Sequence, residues 1–214
     1  MNNLKEKIIT NLKELEKRIC CVMNKIFDSL RFPGGTSTDG ARSSIVILTL
    51  YENKEFYFLV LPYRRLNINK NKGDDTEDPK STAHREFDEE TGLEINVNDL
   101  YLLDSYPVAD SVRENMIHTK YIYHIDGSKV AGHLKEIVFL EENQENDAVK
   151  YETGTPILIP SRCLFEKLCN KHYGMAYKAI DYLLEDKDGK ALEDKDYASA
   201  LFSLRNLLNF YRKN

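Results

Sequence analysis

The stretch "AHREFDEETGL", Ala83 to Leu93, places four acidic side chains, Glu86, Asp88, Glu89 and Glu90, within five residues and just before a glycine. Upstream, Asp78 is a good helix N-cap and Pro79 suits the first helical position. Gly92 suits the position just past the last turn, so a helix is predicted from about Pro79 to Thr91. At about 100° per residue, Glu86 and Glu90 then share one face, with Glu89 roughly 60° from Glu86. Like charges one turn apart cost a helix about a few tenths of a kcal/mol. A divalent cation reverses that sign, because hard cations prefer oxygen ligands and bridge to substrate phosphates. Ala83 and Phe87 form an apolar pair for packing. Arg85 is spaced to pair with Glu89 or to turn back towards Glu77. An ordinary solvated face would have the same composition, so this spacing alone leaves both readings open.

Outward from this helix, "SIVILTL" (44–50) and "FYFLVLPY" (56–63) read as strands, being rich in β-branched and aromatic residues. The polar "YENKE" between them predicts a hairpin. "RRLNINKNKGDDTED" reads as a loop. "LEINV", "LYLLDSYPVA", "MIHTKYIYHI" and "EIVFLE" are further strand candidates. "PILIPSRCLFEKLCN" looks like a strand turning into a helix, and two helices follow, 175–184 and 197–211. Leu4, Ile8, Leu12, Leu15, Ile19, Val22, Ile26 and Leu30 recur at steps of three or four, predicting one long amphipathic helix over 4–30. Its seam suits a homodimer or packing on its own domain. "RFPGGTSTDG" reads as the break after it. Strands mixed with helices, without regular alternation, predict a mixed sheet covered by helices.

The chain has 214 residues, 42% of them hydrophobic, which is enough for one core with added elements. A net charge of -5 argues against a nucleic-acid partner gripped by the whole surface. It leaves room for a small anionic substrate met by a local basic patch or a metal. The four cysteines, Cys20, Cys21, Cys163 and Cys169, form no CxxC pair, which argues against zinc and for reduced thiols. The charged N-terminus lacks the apolar core of a secretory signal, and no apolar run reaches membrane-span length. The expectation is a soluble cytoplasmic protein without a membrane partner.

The residues from Glu77 to Leu93 also resemble the Nudix box. Glu77 falls seven residues before Arg85, and Arg85, Glu86, Phe87, Glu89, Glu90, Gly92 and Leu93 all fall in register. The leading glycine of that box would stand at position 71, where this chain has Asn71; Gly73 is nearby. The resemblance implies an α/β/α sandwich with a mixed β-sheet over about 42–168. An N-terminal helix (1–31) and a C-terminal helical extension (169–214) would be additions. It implies a Nudix-type pyrophosphohydrolase that cleaves a pyrophosphate bond in a nucleoside diphosphate linked to another moiety, such as ADP-ribose, a nucleotide sugar or a dinucleotide. Mg²⁺ or Mn²⁺ would be held by Glu86, Glu89 and Glu90, and would neutralise phosphate oxygens and activate a water. Glu86 and Glu90 are the first-choice ligands. Glu89 is a further ligand or the group that takes the water's proton, and Arg85 and Glu86 complete the catalytic set. Glu77 and Gly92 are structural members of the box. Arg64, Arg65 and Lys72 flank it as candidate phosphate contacts. Glu141, Glu142, Glu145 and Glu152 are candidates for a base on a later loop. Two alternatives stand beside this reading: a non-catalytic nucleotide-binding or regulatory module, and an RNA-end pyrophosphatase.

Overall fold

A computed structural model describes residues 30–36, 42–62, 78–109, 117–130, 138–139 and 156–213. The helix expected from Leu4, Glu77, the 63–77 loop with Arg64, Arg65, Asn71, Lys72 and Gly73, and Glu141, Glu142, Glu145 and Glu152 lie outside the described residues.

The centre is a hairpin of β3 (Arg42–Glu52) and β4 (Glu55–Pro62). Asn53 and Lys54 both take positive φ, 51° and 67°, which matches the tight turn preferred between twisted antiparallel strands. Two short strands precede it, β1 (Leu30–Arg31) and β2 (Gly34–Thr36). β5 (Tyr101–Ala109), β6 (Ile117–Asp126), β7 (Val138–Phe139) and β8 (Ile157–Pro160) complete a mixed sheet in the order β5-β6-β3-β4-β8-β7. β3 runs parallel to β6, with Ile45 opposite Ile122, and antiparallel to β4. β2 lies antiparallel along the first part of β3, with Gly35 opposite Ser44, and β1 pairs with the end of β4.

The period-2 alternation of β3 feeds two layers. Val46 and Leu48 face α1 (Pro79–Thr91) and pack with Ala83 and Phe87, both fully buried. Ile45 and Ile47 face the other side. There they meet α2 (Leu164–Lys167), α3 (Tyr173–Leu184) and α5 (Lys195–Lys213), while the short α4 (Lys190–Glu193) joins α3 to α5. The result is the expected mixed sheet between two helical layers. Burying a phenylalanine such as Phe87 contributes about 2–3 kcal/mol.

The structure corrects several sequence readings. Leu30 and Arg31, read as a helix end, pair with Pro62 and Leu61 as a strand. The sheet therefore starts before residue 42. The helices after Leu168 share one core with Ile45, Phe58 and Ile159, so 169–213 forms the second helical layer. "LEINV" is no strand: it leads through extended chain into a short 3₁₀ turn, Val97–Asp99. Leu93 and Ile95 are buried there against α1, so their apolar character serves packing without a ladder. Among the described residues, no helix is long and apolar enough to cross a membrane.

Candidate active site

The ends of α1 form as the sequence predicts. The Asp78 carboxylate accepts from the Lys80 and Ser81 amides at 2.9 and 3.2 Å and from the Ser81 hydroxyl at 2.5 Å. These bonds, the Ser81 hydroxyl first, hold its carboxyl below the usual carboxylate range. Gly92 ends the helix in the left-handed region at φ 67°, donating to the Asp88 carbonyl. The helix is fastened to the sheet by Phe87 and Ala83, and by the Ser44 hydroxyl, which donates to the Pro79 carbonyl at 2.8 Å.

This seating turns Glu86 and Glu90 towards β2. Glu90 accepts from the Gly34 amide at 2.7 Å and from both terminal nitrogens of Arg31, at 2.5 and 3.0 Å. Glu86 lies against Gly35. A Cβ at Gly35 would stand 2.0 Å from a Glu86 carboxylate oxygen, so only glycine leaves room for that side chain as placed. Gly34 is fixed differently. Its φ is +145°, and a Cβ there would meet the Ser44 carbonyl oxygen at 2.2 Å.

Arg85 is shared between two acids, at 2.9 Å from Glu86 and 3.3 Å from Glu89. Glu89 is the exposed member, its side chain 58% accessible against 19% for Glu86 and 22% for Glu90. Burial raises the Glu86 carboxyl above the usual glutamate range. Arg85 opposes the rise, and the charges of Glu89 and Glu90 add to it. Thus Glu86 is a half-buried carboxylate with incomplete compensation.

The donors are hard oxygens, and the Glu86 cradle over Gly35 suits a small cation in type. Glu90 already holds a cation, the Arg31 guanidinium. Among the described residues, no three Asp, Glu, His or Cys side chains are grouped to hold a metal. Glu86 and Glu90 are brought together on one face, whereas Glu89 stands outward beside Arg85.

Sequence reasoning missed Arg31, Gly34 and Gly35. β2 lays the Gly34–Gly35 pair against the acidic helix, the Gly34 amide donating to Glu90 and Gly35 lying against Glu86. The signal was "RFPGG", whose adjacent glycines were read only as a helix break.

No protein-family model matches the chain. No curated protein matches it in sequence. Among solved structures, it is similar to Shewanella oneidensis NrtR complexed with a 27mer DNA at 13% identity. That match covers 66% of this chain and 61% of the other, with a TM-score of 0.42. A mutT/nudix family protein from Listeria innocua is 19% identical over 73% of this chain and 98% of its own, TM-score 0.40. The C. elegans Ap4A hydrolase is 10% identical over 67% and 98%, TM-score 0.39. The chain thus spans less than two thirds of the length of NrtR.

Proposed function

We propose that the chain is a Nudix-type hydrolase that splits a phosphoanhydride in a nucleoside diphosphate linked to another moiety. The observation that carries this reading is Glu86. A carboxylate held half-buried against a glycine, with its ionised form disfavoured, is a costly arrangement for a mere surface helix. Glu86 and Glu90 would hold Mg²⁺ or Mn²⁺ on the face turned to Gly34–Gly35. When bound, the cation would neutralise phosphate oxygens and lower the pKa of an attacking water. Arg85 orients Glu86 and Glu89 from one guanidinium. Glu89, exposed and sharing Arg85 with Glu86, would accept a proton from solvent-side water. Phe87 and Ala83 fix the helix so that these groups keep their places.

The test is turnover with Mg²⁺ of a panel of ADP-ribose, nucleotide sugars, dinucleotides, nucleoside triphosphates and capped RNA. Glu86→Gln and Glu90→Gln should each abolish the activity. No turnover of any member, or an unaffected Glu86→Gln, would defeat the hydrolase reading.

One observation favours a second reading, a non-catalytic nucleotide-binding module. Arg31 engages both oxygens of Glu90, as a permanent structural latch would. In that case Mn²⁺ would fail to bind in calorimetry while nucleotide binding persisted.

A further inference from the structure

A cavity of about 230 Å³ lies at the end of β3 and β6, on the sheet face covered by α3 and α5. Thr49 and His124 line it, joined at 2.7 Å between the hydroxyl and Nε2. Thr49 shares the face of Ile45 and Ile47 by alternation. It stands five residues past Ser44, the β3 residue that holds α1, which is roughly 16 Å at the rise of a strand. The cavity is thus distinct from the acidic helix. Tyr101 of β5 and Tyr182 of α3 stand in its wall, their ring centroids 4.8 Å apart and their planes inclined by 31°. Tyr182 also meets the His124 ring at 4.8 Å. Tyr51 and Tyr197 line it as well, packed edge to face at 4.8 Å.

The turn between α3 and α4 carries an ammonium group onto this aromatic wall. Asp186 and Gly189 both take positive φ, 42° and 67°, and the Asp186 carboxylate accepts from the Ala191 amide at 3.0 Å. The turn so fixed sets Lys187 Nζ 4.7 Å from the centre of the Tyr101 ring and 4.8 Å from that of Tyr182. The ring faces therefore already hold a cation. Its hold is light: the Lys187 side chain is 49% accessible, and its ion pair with Glu185 lies at the surface. Among the described residues that line the cavity, four carboxylates, Asp99, Asp126, Asp186 and Asp188, face three ammonium groups, Lys129, Lys187 and Lys190. Lys129 stands 3.9 Å from Asp99, and Lys190 stands 3.8 Å from Asp126 and 3.9 Å from Asp188. Burial keeps His124 neutral, so it adds no positive charge.

We propose that this cavity binds a small organic ammonium ion, which takes the place of the Lys187 ammonium over the Tyr101 and Tyr182 rings. An anion would meet the excess of carboxylates. A hard metal ion would lack a ligand set, since no three Asp, Glu, His or Cys side chains among the described residues are grouped to hold one. A weakly hydrated organic cation needs neither: ring faces attract it, and carboxylates around the cavity balance its charge without direct coordination. The cavity volume falls below the range of roughly 300–1,000 Å³ typical of sites for drug-sized ligands, which limits the ligand to a few carbons around the charge. Nothing in this proposal rests on the hydrolase reading.

The test is calorimetric titration with tetramethylammonium and choline at fixed ionic strength. The control ligand is the neutral carbon isostere of choline, in which a tert-butyl group replaces the trimethylammonium. The His124 ring resonance serves as a local reporter of the cavity. At least one of the two ammonium probes should bind and shift that resonance, and the neutral isostere should bind at least about 5-fold more weakly than choline. Lys187→Met removes the internal competitor and should tighten ammonium binding by about 2- to 5-fold. A gain of affinity cannot come from a variant that fails to fold. Tyr101→Leu, on the half-exposed edge strand β5, should weaken binding by about 2- to 5-fold. Arg205→Gln, on the exposed side of α5, removes a positive charge elsewhere and should leave the affinity unchanged. The proposal is overturned by no His124 shift with either ammonium probe, by equal binding of the neutral isostere, or by a Lys187→Met affinity that does not rise above that of Arg205→Gln.

Discussion

Gly35→Ala tests the candidate active site with one methyl group. The new Cβ would fall 2.0, 2.2 and 2.8 Å from the Oε2, Cδ and Cγ atoms of Glu86. Ordinary contact between such atoms is about 3.5 Å, so the carboxylate must retreat by roughly 1.5 Å. The clash is with the flexible end of a side chain, not with backbone. The stability cost should therefore stay within about 1 kcal/mol. If Glu86 acts on the reacting centre, a displacement on the order of 1 Å should lower kcat about 100-fold. Gly34→Ala is the contrasting variant. There the clash is with the Ser44 carbonyl oxygen and the Ile45 Cα, at φ +145°, so folding itself should suffer by about 2–3 kcal/mol. The assays are turnover of the best substrate from the panel, Mn²⁺ calorimetry and urea unfolding. Gly35→Ala with wild-type turnover and an unchanged Mn²⁺ affinity would refute the placing of Glu86 at the reacting centre.

Four further outcomes follow from the contacts. Glu90→Gln removes the charge that holds Arg31 and the Gly34 amide, and should lower unfolding stability by about 2 kcal/mol; no change in urea midpoint would mean the latch contributes nothing. Glu86 has a raised folded pKa, so its stabilising contribution is complete below the unfolded value of about 4.3 and is lost as pH rises through the folded value. Glu86→Gln should accordingly raise Tm at pH 7 and leave it unchanged at pH 3.5, while activity falls. His124 and His172 are held neutral to about 4 and about 3, chiefly by burial. The unfolded chain takes up those protons near pH 6.5, so stability should fall as pH drops below that, by about 2 kcal/mol for each by pH 5; a flat urea midpoint from pH 7 to 5 would contradict it. Asp78→Ala should cost about 1 kcal/mol in the same measurement, through the lost N-cap.

The parts of the fold that were legible from sequence are those fixed by local chemistry. Asp78, Pro79 and Gly92 carry their own capping instructions, so the bounds of α1 were read correctly from Pro79 to Thr91. The β3–β4 hairpin was legible because β-branched runs flank a short polar turn. What failed depends on distant partners. Leu30 continues an apolar helical period, yet it is claimed by pairing with Pro62 across the sheet, a contact that no local window contains. Leu93 and Ile95 alternate like a strand, but among the described residues no strand pairs with them, and they pack under α1 instead. The site divides in the same way. Glu86, Glu89 and Glu90 were placed by helix periodicity alone. Arg31, Gly34 and Gly35 lie more than fifty residues upstream and are brought to the helix by long-range pairings, Arg31 through β1 on β4 and the two glycines through β2 on β3.

Charge balance on α1 bears on the choice between a latch and a reaction site. Arg31 reaches Glu90, and Arg85 is divided between Glu86 and Glu89. Among the described residues, two guanidinium groups therefore face these three carboxylates. The uncompensated share falls on the more buried of the two acids that Arg85 serves, Glu86, as the direction of its pKa shift indicates. A structural latch explains Glu90 fully, since Arg31 and the Gly34 amide satisfy it. It gives no reason for Glu86, which lies against Gly35 where not even a methyl group fits, its charge opposed by its surroundings. Replacing Glu86 by a neutral residue would make a better latch. A cation arriving at this face would meet a carboxylate whose burial disfavours its charged form, and its binding would offset that cost. For this reason the hydrolase reading rests on Glu86, and the Arg31–Glu90 contact alone does not decide against it.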